Sequence, residues 1–158
     1  MFVSVVDALV ERLQAEQAPG GMLEEVRLVR AGDMQPIPTQ HHPAITVDWD
    51  GTRDLRLNHQ RVEFRARLLV HLYTVSLAGT EQAEREADRL VWDDSTGSPR
   101  GLLPALCRAA RTSLVVGGQS YILQIGDSVM TVAVKDKSHS TGLSRIEVQA
   151  VTMRNSPQ

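Results

Sequence analysis

The sequence predicts an α+β fold in a single domain: a mixed or antiparallel β-sheet with an N-terminal helix and one or two central helices packed on it. Three observations lead there. The chain has 158 residues, of which 42% are hydrophobic, enough for one core of ordinary size. Its apolar residues recur with helical period over 2–17 and alternate over 62–75. Helical segments interrupt the strands without alternating strictly with them, unlike a doubly wound sheet. The domain is expected over 1–153, with 154–158 as a short disordered tail.

The elements follow in order. Val5 or Val6, with Leu9, Val10 and Leu13, forms one stripe of a helix from Phe2 to Gln17, with Ser4 as its N-cap and Pro19-Gly20-Gly21 as its stop. Leu23 to Arg30 suggests a strand. Ala31 to Pro43 holds three of the seven prolines and suggests an irregular loop. Ile45, Val47 and Trp49 alternate with Thr46 and Asp48, as in a half-buried strand. A tight hairpin at Asp50-Gly51 would mix core and solvent residues on one face, so a longer loop from Asp50 to Gln60 is expected.

The clearest strand runs from Val62 to Val75. Val62, Phe64, Ala66, Leu68, Val70 and Leu72 share one face. The other face is charged at first (Glu63, Arg65, Arg67) and then apolar, which predicts cover on both sides of the second half. Glu81 to Trp92, capped by Thr80, turns Ala83, Ala87, Leu90 and Val91 inward and spaces Glu81 and Arg85 for an ion pair. Leu102 to Arg111 is a short helix with Pro104 in its first turn. Three strands close the chain: Tyr121 to Ile125, Ser128 to Lys135 and Leu143 to Met153.

Composition narrows function. Seventeen Lys and Arg against nineteen Asp and Glu leave a net charge of −2, which disfavours a sequence-specific nucleic-acid partner. The single cysteine, Cys107, cannot form an internal disulfide and reads as a buried thiol in a reducing compartment. Met1 to Asp7 lacks the basic start of a signal peptide, and no apolar run approaches the ~18 residues that span a bilayer.

No motif carries chemistry. His41 and His42 are adjacent, so their side chains diverge, while His59, His71 and His139 stand apart; none has zinc-ligand spacing. Asp48, Asp50 and Asp54 lack the glycine and glutamate of a calcium loop. Gly118-Gln119-Ser120-Tyr121-Ile122 misses the last glycine of a nucleophile elbow. No enzyme activity, cofactor or metal is therefore expected. The rival is a hydrolase assembled from Asp48, His71 and Ser120.

Charge distribution says more. Arg53, Arg56, Arg61, Arg65 and Arg67 face only Asp54 and Glu63 in their stretch, a local +3. Glu81, Glu84, Glu86, Asp88, Asp93 and Asp94 face only Arg85 and Arg89, a local −4. Ordinary solvated faces satisfy this pattern. So does a self-complementary interface, basic on one side and acidic on the other, that joins copies head to tail into a ring. The candidate interface residues are Arg53, Arg56, Arg61, Arg65, Arg67, Glu81, Glu84 and Asp88.

Four features carry a resemblance: the helix Phe2 to Gln17, the strand entry Pro43-Ala44-Ile45-Thr46-Val47, the long strand Val62 to Thr74 followed at once by the helix Glu81 to Trp92, and the closing strand Ile146-Glu147-Val148-Gln149-Ala150-Val151. In this order of elements the chain resembles the tail terminator (tail completion) proteins of long-tailed bacteriophages. The helix Leu102 to Arg111 and the strand Ser120 to Ile125 depart from it and leave room for another neck, connector or minor tail protein. The resemblance implies a structural virion protein, made in the host cytoplasm, that forms a homo-oligomeric ring, usually a hexamer. Its partners would be the tail tube protein and the head–tail connector, with no membrane. Such a ring caps the tube, stops its polymerisation and joins it to the head. A small protein-binding module outside the phage world is the other reading.

Overall fold

The strongest alternation in the sequence becomes the centre of the sheet. The computed structural model describes residues 2–32, 36–57, 60–135 and 139–155. Strand β3 (Arg61–Ser76) pairs antiparallel along its whole length with β6 (Ser140–Asn155), from Arg61 opposite Asn155 to Ser76 opposite Ser140. β2 (Ala44–Leu57) flanks β3, and β5 (Gln119–Lys135) flanks β6, both antiparallel. Two short strands finish the sheet: β1 (Leu28–Ala31) runs parallel to β2, and β4 (Leu114–Val116) antiparallel to β5. The order is β1-β2-β3-β6-β5-β4. Together with helices α1 (Phe2–Ala15), α2 (Thr80–Val91) and α3 (Leu102–Ala109), this is the predicted mixed α+β domain.

All three helices contribute buried side chains to one core, against a single face of the sheet. That face is built from Ala66, Leu68, Val70 and Leu72 of β3 opposite Ala150, Val148, Ile146 and Ser144 of β6, every one of them buried. The predicted stripe of α1 is buried throughout. The helix already starts at Phe2, so Ser4 lies inside it and does not cap it. It also ends two residues early, at Ala15, because the Glu16 carbonyl turns back to accept the Leu23 N–H at 2.9 Å. Only glycine fits at position 21, where a Cβ would overlap that same carbonyl.

Several expected boundaries move. Residues 23–25 are a turn and 26–27 irregular, with Leu23 and Val26 buried from this backbone, and the strand begins only at Leu28. The loop expected over Asp50 to Gln60 is mostly strand: β2 continues to Leu57. A register shift between Trp49 and Arg53 supplies the missing piece. It places Trp49 opposite Leu68 and Arg53 opposite Ala66, so two extra residues absorb the conflict that argued against a hairpin. β5 shows the same device. Gly126-Asp127, expected to split two strands, lies in a second shift between Ile125 and Val129 within one continuous strand. β4 was not foreseen, and residues 154–155, expected in the disordered tail, belong to β6.

α2 begins at Thr80, with Gly79 as the N-cap residue in place of the expected Thr80, and buries the four residues that its period predicts. α3 ends at Ala109, two residues before the expected Arg111, with Pro104 in its first turn as expected. Cys107, expected to be buried, is exposed. It lies on the side of the short helix away from Leu102, Ala105, Leu106 and Ala109, which fill the core.

Two contacts lock helices to their neighbours. Arg12 donates to three carbonyls at the end of α3: from Nη1 to Ala109 at 2.5 Å and Thr112 at 2.7 Å, and from Nη2 to Ser113 at 2.7 Å. A cation there satisfies carbonyls that have no helical partner and meets the negative end of the helix. Arg12→Ala is expected to cost about 2 kcal/mol and lower the thermal midpoint by several degrees. An unchanged midpoint in a calorimetric scan counts against this role.

The second contact is at Gly142, where a Cβ would overlap the Ala83 carbonyl oxygen of α2 and the Thr74 hydroxyl. Thr74 itself donates to the Ala83 carbonyl at 2.9 Å from the sheet. Gly142→Ala should force α2 off the sheet, with a loss of about 1–3 kcal/mol in a denaturant titration. A neutral substitution would mean that α2 rests more loosely than these distances require.

Candidate interaction surfaces

The sheet face opposite the helices is not covered by another layer among the described residues. The second half of β3 was expected to be covered on both sides; Leu69, His71, Tyr73 and Val75 are instead half-buried. Their partial burial comes from neighbours in the same face: the His71 and Tyr73 rings lie 6.0 Å apart between centroids, and Leu143 stands opposite Tyr73.

This open face divides along its length. Towards the β2–β3 turn it carries a polar ladder across four strands. Arg67 Nε donates to Asp50 of β2 at 2.5 Å, and its Nη1 lies 3.8 Å from Glu147 of β6. Arg65 pairs with Glu63 and reaches Gln149 of β6 at 3.2 Å and Gln124 of β5 at 3.3 Å. Towards the other end the face is apolar, with Leu143 half-buried and Met130, Val132 and Val134 of β5 exposed by 44%, 38% and 62%.

The five predicted arginines therefore separate into two groups. Arg65 and Arg67 belong to the ladder and serve the sheet internally. Arg56 and Arg61 flank the β2–β3 turn and are exposed. The Arg53 side chain lies outside the described residues. Of the predicted acids, Glu81, Glu84 and Asp88 are all exposed on α2, and Glu81 pairs with Arg85 at 2.6 Å. α2 leaves the Ser76 end of β3, whereas the arginines sit at its Arg61 end. Sixteen residues of strand separate them, about 50 Å at ~3.3 Å per residue. Basic and acidic patches thus occupy opposite ends of one sheet.

Glu86 and Asp93, with Glu24 and Glu25 nearby, have internal partners. Arg89 binds Glu86 at 2.6 Å and Glu25 at 2.9 Å, and Arg100 binds Glu24 at 2.9 Å. The hydrogen bond from Arg100 holds the Glu24 carboxyl below its ordinary range, and bonds from the Ser95 hydroxyl and N–H do the same for Asp93. These pairs line a cleft of about 200 Å³ between residues 22–26 and 89–101. With its charges matched internally, the cleft serves as a seam between α2 and the chain after α1.

The rival catalytic grouping does not assemble. His71 Nδ1 lies 3.8 Å from Asp48 Oδ2, and the two face each other across β2 and β3. Ser120 is elsewhere. Ile122 lies opposite Val151, and Val151 opposite Arg65, so Ser120 falls near the level of Glu63. That is eight residues along the strands from His71, about 25 Å. Among the described residues no group of three or more His, Cys, Asp and Glu side chains could hold a metal ion. No described helix is long and apolar enough to cross a membrane.

The sequence did not reveal the two free edges of the sheet. β1 covers β2 only at 44–47, and β4 covers β5 only at 119–121. Among the described residues, no strand pairs with the outer side of β2 beyond Asp48 or of β5 beyond Tyr121. A signal was present in the uncharged run Val129-Met130-Thr131-Val132-Ala133-Val134, which has strong β character and no proline.

Comparison of the sequence with protein-family models and with curated proteins finds no match.

One pH effect follows from His42, half-buried beside Pro43. Burial lowers its pKa below the ordinary 6.5 and outweighs the hydrogen bond to the Pro38 carbonyl. The unfolded chain then takes up the proton first, so stability is full above about pH 6.5 and declines as pH falls through that value. His42→Gln should flatten the decline between about pH 7 and 5, followed by thermal midpoint. An identical slope in the variant would remove His42 as its source.

Proposed function

We propose that the chain is a structural, ring-forming subunit of the tail terminator kind, which caps the tail tube of a long-tailed phage and joins it to the head connector. In this reading it has no catalytic step: a closed ring occupies the growing end of the tube, which stops addition of further tube subunits, and presents a new surface to the connector. It acts in the virion after synthesis in the host cytoplasm.

One observation carries the reading. The exposed arginines at the β2–β3 turn and the exposed acids of α2 lie at opposite ends of the same long sheet, as a head-to-tail contact between identical copies requires. The order of helices and long strands supports the same class. Exposure favours Arg56 and Arg61 as the interface residues, whereas reversing Arg65 or Arg67 would first disturb the sheet itself.

Light scattering on a sizing column, at two salt concentrations, tests this. The expected mass is near six times 17.4 kDa and falls at high salt. Arg56→Glu with Arg61→Glu should raise the concentration needed for assembly by about tenfold or more, without lowering the thermal midpoint. Electron microscopy with a tail tube protein should show rings seated on tube ends. A particle that stays at one chain, and that leaves tube ends bare, contradicts the reading and favours a small protein-binding module.

A further inference from the structure

The two free edges are related in a way that a single copy does not use. β1 shields β2 at the Ser76 end of the sheet and leaves it open at the Arg61 end. β4 shields β5 at the Arg61 end and leaves it open at the Ser76 end. Among the described residues, the lengths with no strand beyond them are 51–57 of β2 and 122–135 of β5, on opposite margins and at opposite ends. Unpaired strand edges of this length are normally blunted by proline, lysine or a covering element, because they template pairing with another chain. In β5 the segment 129–134 has no such guard, and Val129, Met130, Val132 and Val134 are all substantially exposed.

We propose that these two edges pair with each other between copies of this chain, the outer side of β5 in one copy taking the outer side of β2 from the next, so that one sheet continues from subunit to subunit. The strand directions agree. β2, β3, β6 and β5 alternate in direction, so β5 of one copy and β2 of a second copy in the same orientation are antiparallel, the pairing found in the rest of this sheet. Because the open lengths lie at opposite ends, the second copy must be displaced along the strands. With Leu55 of the second copy beside Val129 of the first, the displacement is about six residues, and it brings Arg56 and Arg61 of the second copy beside the register shift in β5 of the first, near the level of Leu68. Strand direction and the offset of the open lengths thus call for the same stagger.

The inference rests on the ring-forming reading only in taking the partner to be a second copy. Two variants test it, Leu55→Cys on the β2 edge and Val129→Cys on the β5 edge, each with Cys107→Ser. Both positions are exposed, by 52% and 39%, and wild-type thermal midpoints would show that each variant folds. The two are mixed at equal concentration, treated with a short bismaleimide, and the solution mass is measured in parallel. Edge pairing predicts a cross-linked dimer formed several-fold more in the mixture than in either variant alone. Equal cross-linking within one variant means a symmetric contact and overturns the proposal. No cross-link in a sample whose mass is near six chains overturns edge pairing and leaves the ring intact. No cross-link in a sample that stays at one chain overturns both.

Discussion

The antiparallel ladder between β3 and β6 is the constraint on which the rest of the molecule depends. Along it, sixteen residues of each strand alternate between a face that packs on the helices and a face that does not. A slip of one residue would carry Leu68, Val70 and Leu72 to the open side and turn Arg67 and His71 into the core, so the register is strongly fixed. The helices read the same register. α2 can approach β3 and β6 only where Gly142 and Thr74 stand opposite each other, while α1 packs on β1, β2 and β4 and α3 lies between the other helices and β5.

The ladder also sets the overall asymmetry. β2 and β5 each leave it by a hairpin, one at the Arg61 end and one at the Ser76 end, and each carries a register shift close to the level where Leu68 meets Val148. Those bulges twist the outer strands without ending them. The helical layer does not extend over the opposite face, so the sheet keeps one face and two partial edges open. Internal ion pairs such as Arg67–Asp50 and Arg89–Glu25 join separate segments of the chain, and exposed charged side chains stand at both ends of the sheet.

Much of this architecture was legible in the sequence. The stripe of α1, the inward residues of α2 and the alternation of β3 each follow one period for long enough to be read directly. The misreadings share a physical cause. Asp50-Gly51 and Gly126-Asp127 are strong turn signals locally, and both lie in bulges because the long partner strands β3 and β6 hold the chain extended across them. Leu23 and Val26 imitate a strand since tertiary burial rewards apolar side chains on turns as well. The predicted arginine cluster looked uniform in one dimension. Only the cross-strand neighbours Asp50, Glu147, Gln124 and Gln149 reveal that Arg65 and Arg67 are internal while Arg56 and Arg61 point outward. The free edges depend on how little of β2 and β5 the short strands β1 and β4 cover, which no local pattern encodes.

Among the described residues the sheet is complete at its middle and incomplete at its margins. Amide hydrogen exchange, followed segment by segment in dilute and in concentrated protein, addresses it most directly. Slow exchange is expected along 62–75 and 142–153 at every concentration, with 51–57 and 122–135 exchanging fast when dilute and slowing together as copies associate. Edges as protected as the central ladder in the dilute monomer would contradict it, since nothing would then be left to pair.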